Sequence, residues 1–243
     1  MKTLFISTLI LIASITGIQA QDAAAYQSPI STGYAPGFSG KSTMGDINFP
    51  DDFYGKWKII FSHPADFTPV CTSEIIALAK LQDDFKKLNT ALLVISTDGL
   101  NSHMEWVRSI ESISIKGEAP VKVNFPLISD VDMSISKKYG ILQTDGGKTY
   151  DRRTVFIINE ENKIMAMFYY PDNIGRNVEE IKRTLIALQT SEKHDVLTPA
   201  DWKPGDDVMI PSPATVNDAQ KLGEKKNPDL YQAAWYMWFR KLN

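Results

Sequence analysis

The chain has 243 residues, 43% of them hydrophobic and 23% charged, with a formal net charge of −3. This composition fits a soluble globular protein with one sizeable core. It excludes nucleic acid as a main partner, because such binding rests on clustered Lys and Arg neutralising phosphates, and Lys225-Lys226 is a mere pair.

The first twenty residues read as an export leader. Met1-Lys2-Thr3 supplies a short positive start, Leu4 to Ile15 is mostly apolar and uncharged, and small Ala20 precedes polar Gln21-Asp22. The expectation is a signal peptide over 1–20, removed after Ala20. A membrane span needs about 20 apolar residues, more than this run offers. The mature protein is therefore expected in the periplasm or outside the cell, without a membrane span. Gln21 to about Met44 reads as a Gly/Ser/Pro/Ala-rich lead-in arm.

Short β-rich runs then alternate with helical patterns, the mark of an α/β domain. Strands are expected at Trp57–Phe61, Ala91–Ser96, Phe125–Ile128, Thr154–Ile158 and Ile164–Tyr170, the last two joined as an antiparallel hairpin across polar 159–163. Leu78, Leu81, Phe85 and Leu88 recur at helical steps, placing one amphipathic helix after Cys71. Further helices are expected over Asn101–Ile113, Met133–Tyr139 and Val178–Leu188. The natural assembly is a central mixed sheet with helices on both faces, spanning 45–190. From about Ser191 the chain becomes turn-rich and ends in Tyr231, Trp235, Tyr236, Trp238 and Phe239. Such aromatic density requires cover, from the chain's own core or from a second subunit.

Only one cysteine is present, so an intramolecular disulfide is impossible. The segment Ser62-His63-Pro64-Ala65-Asp66-Phe67-Thr68-Pro69-Val70-Cys71-Thr72-Ser73-Glu74 follows a strand and enters the helix. Thr68 suits the N-cap and Pro69 the first helical position, where its missing N–H costs nothing. Cys71 then falls in the first turn, where unsatisfied N–H groups and the helix dipole favour thiolate, the nucleophilic form. Attack on an O–O bond also needs support for charge on the departing oxygen. Thr68 can offer a hydroxyl, and Arg153 or Arg176 a guanidinium.

Pro64-x-x-x-Thr68-x-x-Cys71 resembles the active-site pattern of peroxiredoxins, and Ser62 to Thr72 resembles their one-cysteine subgroup. Arg153-Thr154-Val155-Phe156-Ile157, Tyr170-Pro171, Gly175-Arg176-Asn177 and the Thr198–Trp202 and Gly205–Met209 segments extend the similarity over roughly Pro36 to Phe239. The resemblance implies a thioredoxin-like fold with a small C-terminal dimerisation extension over 191–243. It implies that Cys71 attacks peroxide and becomes a sulfenic acid, that Thr68 hydrogen-bonds peroxide and thiolate, and that Pro64 shields the pocket. Arg153 would stabilise thiolate and transition state, with Glu74 orienting an arginine and His63 and Arg176 in support. No metal and no cofactor are called for. The expected partners are hydrogen peroxide or organic hydroperoxides, an external thiol or thioredoxin-like reductant, and a second copy in a homodimer or larger ring. His103 and His194 match nothing in the pattern.

Rival chemistries fit less well. A thiol–disulfide oxidoreductase needs a second cysteine at Cys-x-x-Cys spacing, but Thr68 and Glu74 stand on either side. A cysteine hydrolase needs a His base and an oxyanion hole, and His63 is its only local candidate. A redox-silent binding or chaperone-like assembly built on the aromatic tail would leave Cys71 slow towards peroxide.

Overall fold

The computed structural model describes residues 33–224 and 228–242. The leader over 1–20 and the first part of the lead-in arm lie outside the described residues. In chain order the strands are β1 (Gly33–Tyr34), β2 (Phe38–Ser42), β3 (Gly45–Phe49), β4 (Trp57–Ser62), β5 (Thr90–Ser96), β6 (Leu127–Ser129), β7 (Leu142–Asp145), β8 (Lys148–Asp151), β9 (Arg153–Ile158), β10 (Lys163–Tyr170), β11 (Val208–Met209), β12 (Leu230–Ala234) and β13 (Met237–Arg240). The α-helices are α1 (Pro69–Lys87), α2 (Leu100–Ile110), α3 (Ser134–Tyr139), α4 (Val178–His194) and α5 (Val216–Glu224).

Eight strands form one mixed sheet in the order β1-β10-β9-β4-β5-β6-β2-β3. β4, β5 and β6 run parallel, while β9 and β10 continue the sheet antiparallel on one side and β2 and β3 on the other. Each central strand is buried on both faces, as parallel strands covered by helices must be. The period-2 alternation divides the core. Ile59, Phe61, Val155 and Ile157 face Ile75, Leu78, Phe85, Trp106 and Leu185 of the helices. Ile60, Phe156 and Ile158 face Tyr139, Phe38 and Phe49. This is the expected thioredoxin-like arrangement, with a curled mixed sheet between helices.

The expected arm is too long. Its residues 33–44 hold β1 and β2, both hydrogen-bonded into the sheet. Phe38 anchors this edge, stacked on Phe49 with centroids 5.0 Å apart and set edge-on to Tyr139. Inside β2, Gly40 packs so closely that a Cβ there would lie 3.0 Å from Ile128 Cγ2. At the other end of the sheet, Lys58 is buried in β4, and its Nζ donates to the carbonyls of Asn159 and Glu160 and to Asn162 Oδ1. That clasp fixes the β9–β10 turn. The β7–β8 hairpin, unforeseen from the sequence, forms a separate two-stranded sheet around Gly146-Gly147.

At the C-terminal end, α4 runs past Ser191 to His194. Beyond it lies a three-stranded sheet in the order β11-β13-β12. Trp202 and Val208 pack against Ala187 and Val196, so the extension has a small core resting on α4. Trp238 is buried and Phe239 stacks on Tyr231, whereas Trp235 and Tyr236 are exposed. The chain's own extension thus covers part of the aromatic tail and leaves Trp235 and Tyr236 uncovered. Among the described residues, no helix is long and apolar enough to cross a membrane.

Asp151, at the end of β8, is fully buried and neither carboxyl oxygen is hydrogen-bonded among the described residues. Burial pushes this carboxyl well up against a smaller opposing pull from the Ser136 hydroxyl, and the neighbouring carboxylates of Asp130 and Asp98 add to the rise. The folded chain therefore keeps a proton that the unfolded chain releases above about pH 4, and stability falls as pH rises through that range. Asp151→Asn should gain on the wild type by about 1.4 kcal/mol per pH unit over that window. Urea unfolding at pH 4, 6 and 8 checks this, and a difference that does not grow with pH contradicts it.

Candidate active site

The site forms where β4 ends and α1 begins. Thr68 is the N-cap in extended backbone and Pro69 opens the helix, so Cys71 lies in the first turn as expected. Phe67, with φ of 55°, turns the chain sharply into the cap. The loop is tied down by Asp98 at the end of β5, whose Oδ2 accepts the Asp66 N–H at 2.8 Å. Thr68 makes no side-chain cap; its hydroxyl donates to the Ala65 carbonyl at 3.0 Å. The first-turn N–H groups are thus left uncapped by Thr68, and in this state its hydroxyl does not bond the sulfur.

Cys71 is fully buried. Arg153, at the first position of β9, places Nη1 3.3 Å from the sulfur and donates from the same nitrogen to Glu74 Oε2 at 2.6 Å. Glu74 stands one helical turn beyond Cys71 and also receives Arg176. The Arg176 Nε reaches Oε1 at 2.9 Å, its Nη2 reaches Oε2 at 2.8 Å, and its backbone N–H reaches Oε1 at 2.8 Å. The remaining Arg176 nitrogen donates to the Ser62 and Thr154 carbonyls, and its guanidinium lies 3.3 Å over the Phe61 ring. All three charged groups are buried. Two guanidiniums against one carboxylate leave a net positive field beside the sulfur, which stabilises negative charge on it.

A cavity of about 700 Å³ opens over this network, lined by Pro64, Thr68, Val70, Tyr150, Arg153 and Asp172 among others. The Arg153 Nη2 makes no hydrogen bond to the described residues, so it is a donor available to a molecule in the cavity. Cys71, Glu74, Arg153 and Arg176 are therefore gathered in one network, with Pro64 and Thr68 on the cavity wall.

His63 points elsewhere. Its Nε2 faces Asp66 Oδ1 at 2.9 Å, and His103 approaches the same carboxylate through Nδ1 at 2.8 Å. Burial pushes His63 down from its usual range, so the ring is neutral. With Nε2 protonated towards Asp66, its buried Nδ1 is a bare acceptor without a hydrogen bond among the described residues. Burial pushes the Asp66 carboxyl up, but hydrogen bonds from His103 and His63 outweigh it and hold the group well below the usual carboxylate range. The ligand atoms of His63, Asp66 and His103 lie within 4.8 Å of one another. They could take a metal ion only by giving up these hydrogen bonds.

His103 matched nothing in the sequence pattern, and Asp66, Asp98, Tyr150 and Asp172 were passed over as well. A signal for His103 existed: it shares the buried face of α2 with Trp106 and Ile110, at steps of three and four. Trp106 packs at a tilt against His63, with ring centroids 4.9 Å apart, and donates to the Thr72 hydroxyl at 3.1 Å.

Comparison with known proteins decides the family. The AhpC/TSA family model matches residues 33–167, and the model of the C-terminal domain of 1-Cys peroxiredoxin matches residues 187–226. A peroxiredoxin of Methanosarcina mazei is 44% identical over 208 residues, covering 85% of this chain and 95% of that one. This chain belongs to the peroxiredoxin family. A peroxiredoxin of Aquifex aeolicus is 40% identical over 219 residues, covering 86% of this chain and 95% of its own. Among solved structures, a yeast mitochondrial 1-Cys peroxiredoxin superposes with a TM-score of 0.75 at 36% identity, covering 87% of this chain and 99% of that one. A cysteine-to-serine mutant of peroxiredoxin 6 of Arenicola marina gives 0.77 at 30% identity, covering 88% and 99%. Peroxiredoxins are thiol-dependent peroxidases, and so is this enzyme.

The ion network makes a stability prediction. Glu74→Ala leaves two buried guanidiniums facing each other, which should cost about 3–5 kcal/mol, the range for breaking a buried pair. Chemical denaturation measures it, and a loss under about 1 kcal/mol would show that solvent or a rearranged partner replaces the carboxylate.

Proposed function

We propose that Cys71 is the peroxide-reducing nucleophile and that Arg153 is its transition-state donor. The supporting observation is the 3.3 Å contact of the sulfur with Nη1 of Arg153, a residue that lines an open cavity. The thiolate attacks the nearer peroxide oxygen, forming an S–O bond as the O–O bond breaks. The departing oxygen takes up a proton and leaves as water or alcohol, and the sulfur, oxidised by two electrons, becomes a sulfenic acid. Guanidinium N–H groups fixed before reaction stabilise charge on the departing oxygen without reorganising. Thr68 can turn its hydroxyl from Ala65 to a bound peroxide, while Pro64 and Val70 keep bulk water from the sulfur.

A cavity of about 700 Å³ exceeds what hydrogen peroxide needs and leaves room for organic hydroperoxides. With one cysteine in the sequence, an outside thiol condenses with the sulfenic acid, releases water and forms a mixed disulfide. A second thiol then frees Cys71. The yeast relative's thiol-resolving mechanism runs via glutathione/thioredoxin systems, which supports a reductant of this class. The leader over 1–20 supports export, and antioxidant defence outside the cytoplasm is the corresponding role.

Stopped-flow oxidation of the reduced protein tests the chemistry. Cys71→Ser should abolish peroxide consumption, and Arg153→Ala should slow it by about 100-fold, the scale of one lost transition-state donor. An Arg153→Ala rate equal to the wild type removes Arg153 from the reaction.

The extension supports a homodimer. Exposed Trp235 borders an apolar cavity with Pro213, Ala214 and Val216, and exposed aromatics of this kind anchor interfaces. Trp235→Glu with Tyr236→Glu should weaken self-association by about 100-fold or more. Sedimentation velocity reads this directly, and an unchanged dimer places the interface elsewhere.

A further inference from the structure

Arg153 is anchored at two ends that differ in kind. Its Nη1 meets Glu74, a buried carboxylate itself fixed by Arg176. Its Nε donates to the Asp172 carbonyl at 3.0 Å, and Asp172 belongs to an exposed segment, residues 171–175. Within that segment the backbone contributes one hydrogen bond, from Ile174 to Pro171 at 3.2 Å. So exposed a segment needs another restraint to hold a carbonyl in place.

The side chain of Asp172 supplies it. Its carboxylate accepts Gln143 Nε2 at 3.0 Å on each oxygen and the Tyr150 hydroxyl at 2.9 Å on Oδ2. Gln143 and Tyr150 are directly opposite each other in the β7–β8 ladder, so one cross-strand pair presents both donors to one acceptor. The hydrogen bond to Asp172 pushes the Tyr150 hydroxyl up from its usual range, which keeps it a donor. Arg153 meets only the backbone of Asp172. A carbonyl orients the guanidinium without a second anion to neutralise it, and two anchor points stop a planar fork from rotating about its contact with Glu74.

We propose that Asp172, clamped by the Gln143–Tyr150 pair of the β7–β8 hairpin, is a positioning residue that sets Arg153 against Cys71 for attack on peroxide. This rests on the reading of Arg153 as the transition-state donor. Because Tyr150 and Asp172 also line the cavity, the wall that a substrate touches is the wall that holds the arginine.

A double-mutant cycle on the full-length enzyme tests the inference. The quantities measured are the rate of Cys71 oxidation by hydrogen peroxide and, separately, the rate of its alkylation by neutral iodoacetamide. Asp172→Ala should slow oxidation by about tenfold, as misplacement of a catalytic group does. In the Arg153→Ala background it should have no further effect. Alkylation needs the thiolate but involves no departing peroxide oxygen, so it should slow less than oxidation and the ratio of oxidation to alkylation should fall, which a general loss of folded protein would not produce. Tyr150→Phe should give part of the loss, and Asp172→Asn, which keeps an acceptor, should restore oxidation to within about twofold of wild type.

If Asp172→Ala oxidises at the wild-type rate while Arg153→Ala is slow, the positioning role is wrong and the role of Arg153 stands. It is equally overturned if Asp172→Ala slows the reaction by the same factor with and without Arg153, or lowers oxidation and alkylation alike. If Arg153→Ala itself is not slow, the donor reading fails and takes this inference with it.

Discussion

The structure depends on one carboxylate placed between two guanidiniums. Glu74 comes from α1, Arg153 from the start of β9 and Arg176 from the approach to α4, so a single side chain joins three elements that also pack together in the core. Burying three charges is costly unless every polar atom has a partner. Here Arg176 is satisfied by two carbonyls as well as by Glu74, and Arg153 by Glu74, the sulfur and a loop carbonyl, with Nη2 alone left without a partner among the described residues. The surplus positive charge of the trio lies against the Cys71 sulfur, 3.3 Å from Arg153 Nη1. The same contacts that close the fold therefore create the electrostatic setting of the reaction.

The helix start adds a second contribution. Pro69 has no N–H to satisfy and Thr68 does not cap the following ones with its side chain. The first turn of α1 thus presents its partial positive charge near the sulfur. Phe67 in left-handed backbone and the Asp98 carboxylate on the Asp66 N–H hold the approach to this turn. The His63–Asp66–His103 cluster lies behind the same loop and makes it rigid from the core side.

Much of this was legible in the sequence because it is local. The β-rich runs of β4 and β9, the helical spacing after Cys71, and Thr68-Pro69 before the first turn each depend on near neighbours, and the family resemblance brought Arg153, Glu74 and Arg176 into view together. What escaped has a common physical origin. Strand β2 reads Phe-Ser-Gly-Lys-Ser and β3 reads Gly-Asp-Ile-Asn-Phe, so their places in the sheet come from backbone pairing and a few buried aromatics, not from composition. The β7–β8 hairpin is mostly polar, with Leu142 its one buried apolar residue; its cue, Asp145-Gly146 between short runs, is a recognised turn signal. His103 and Asp66 are separated by 37 positions, and Asp172 lies far from Gln143, so only the folded chain brings them together. The hydroxyl of Thr68, expected on the sulfur, is instead engaged by Ala65, a choice of rotamer that sequence does not encode.

The indole of Trp106 donates to the hydroxyl of Thr72, the residue next to Cys71, while its ring rests on His63. An aromatic chromophore is thereby hydrogen-bonded to the residue that follows Cys71. A displacement of the first turn of α1 changes the hydrogen bond to that indole, so the absorption of Trp106 is tied to the position of that turn.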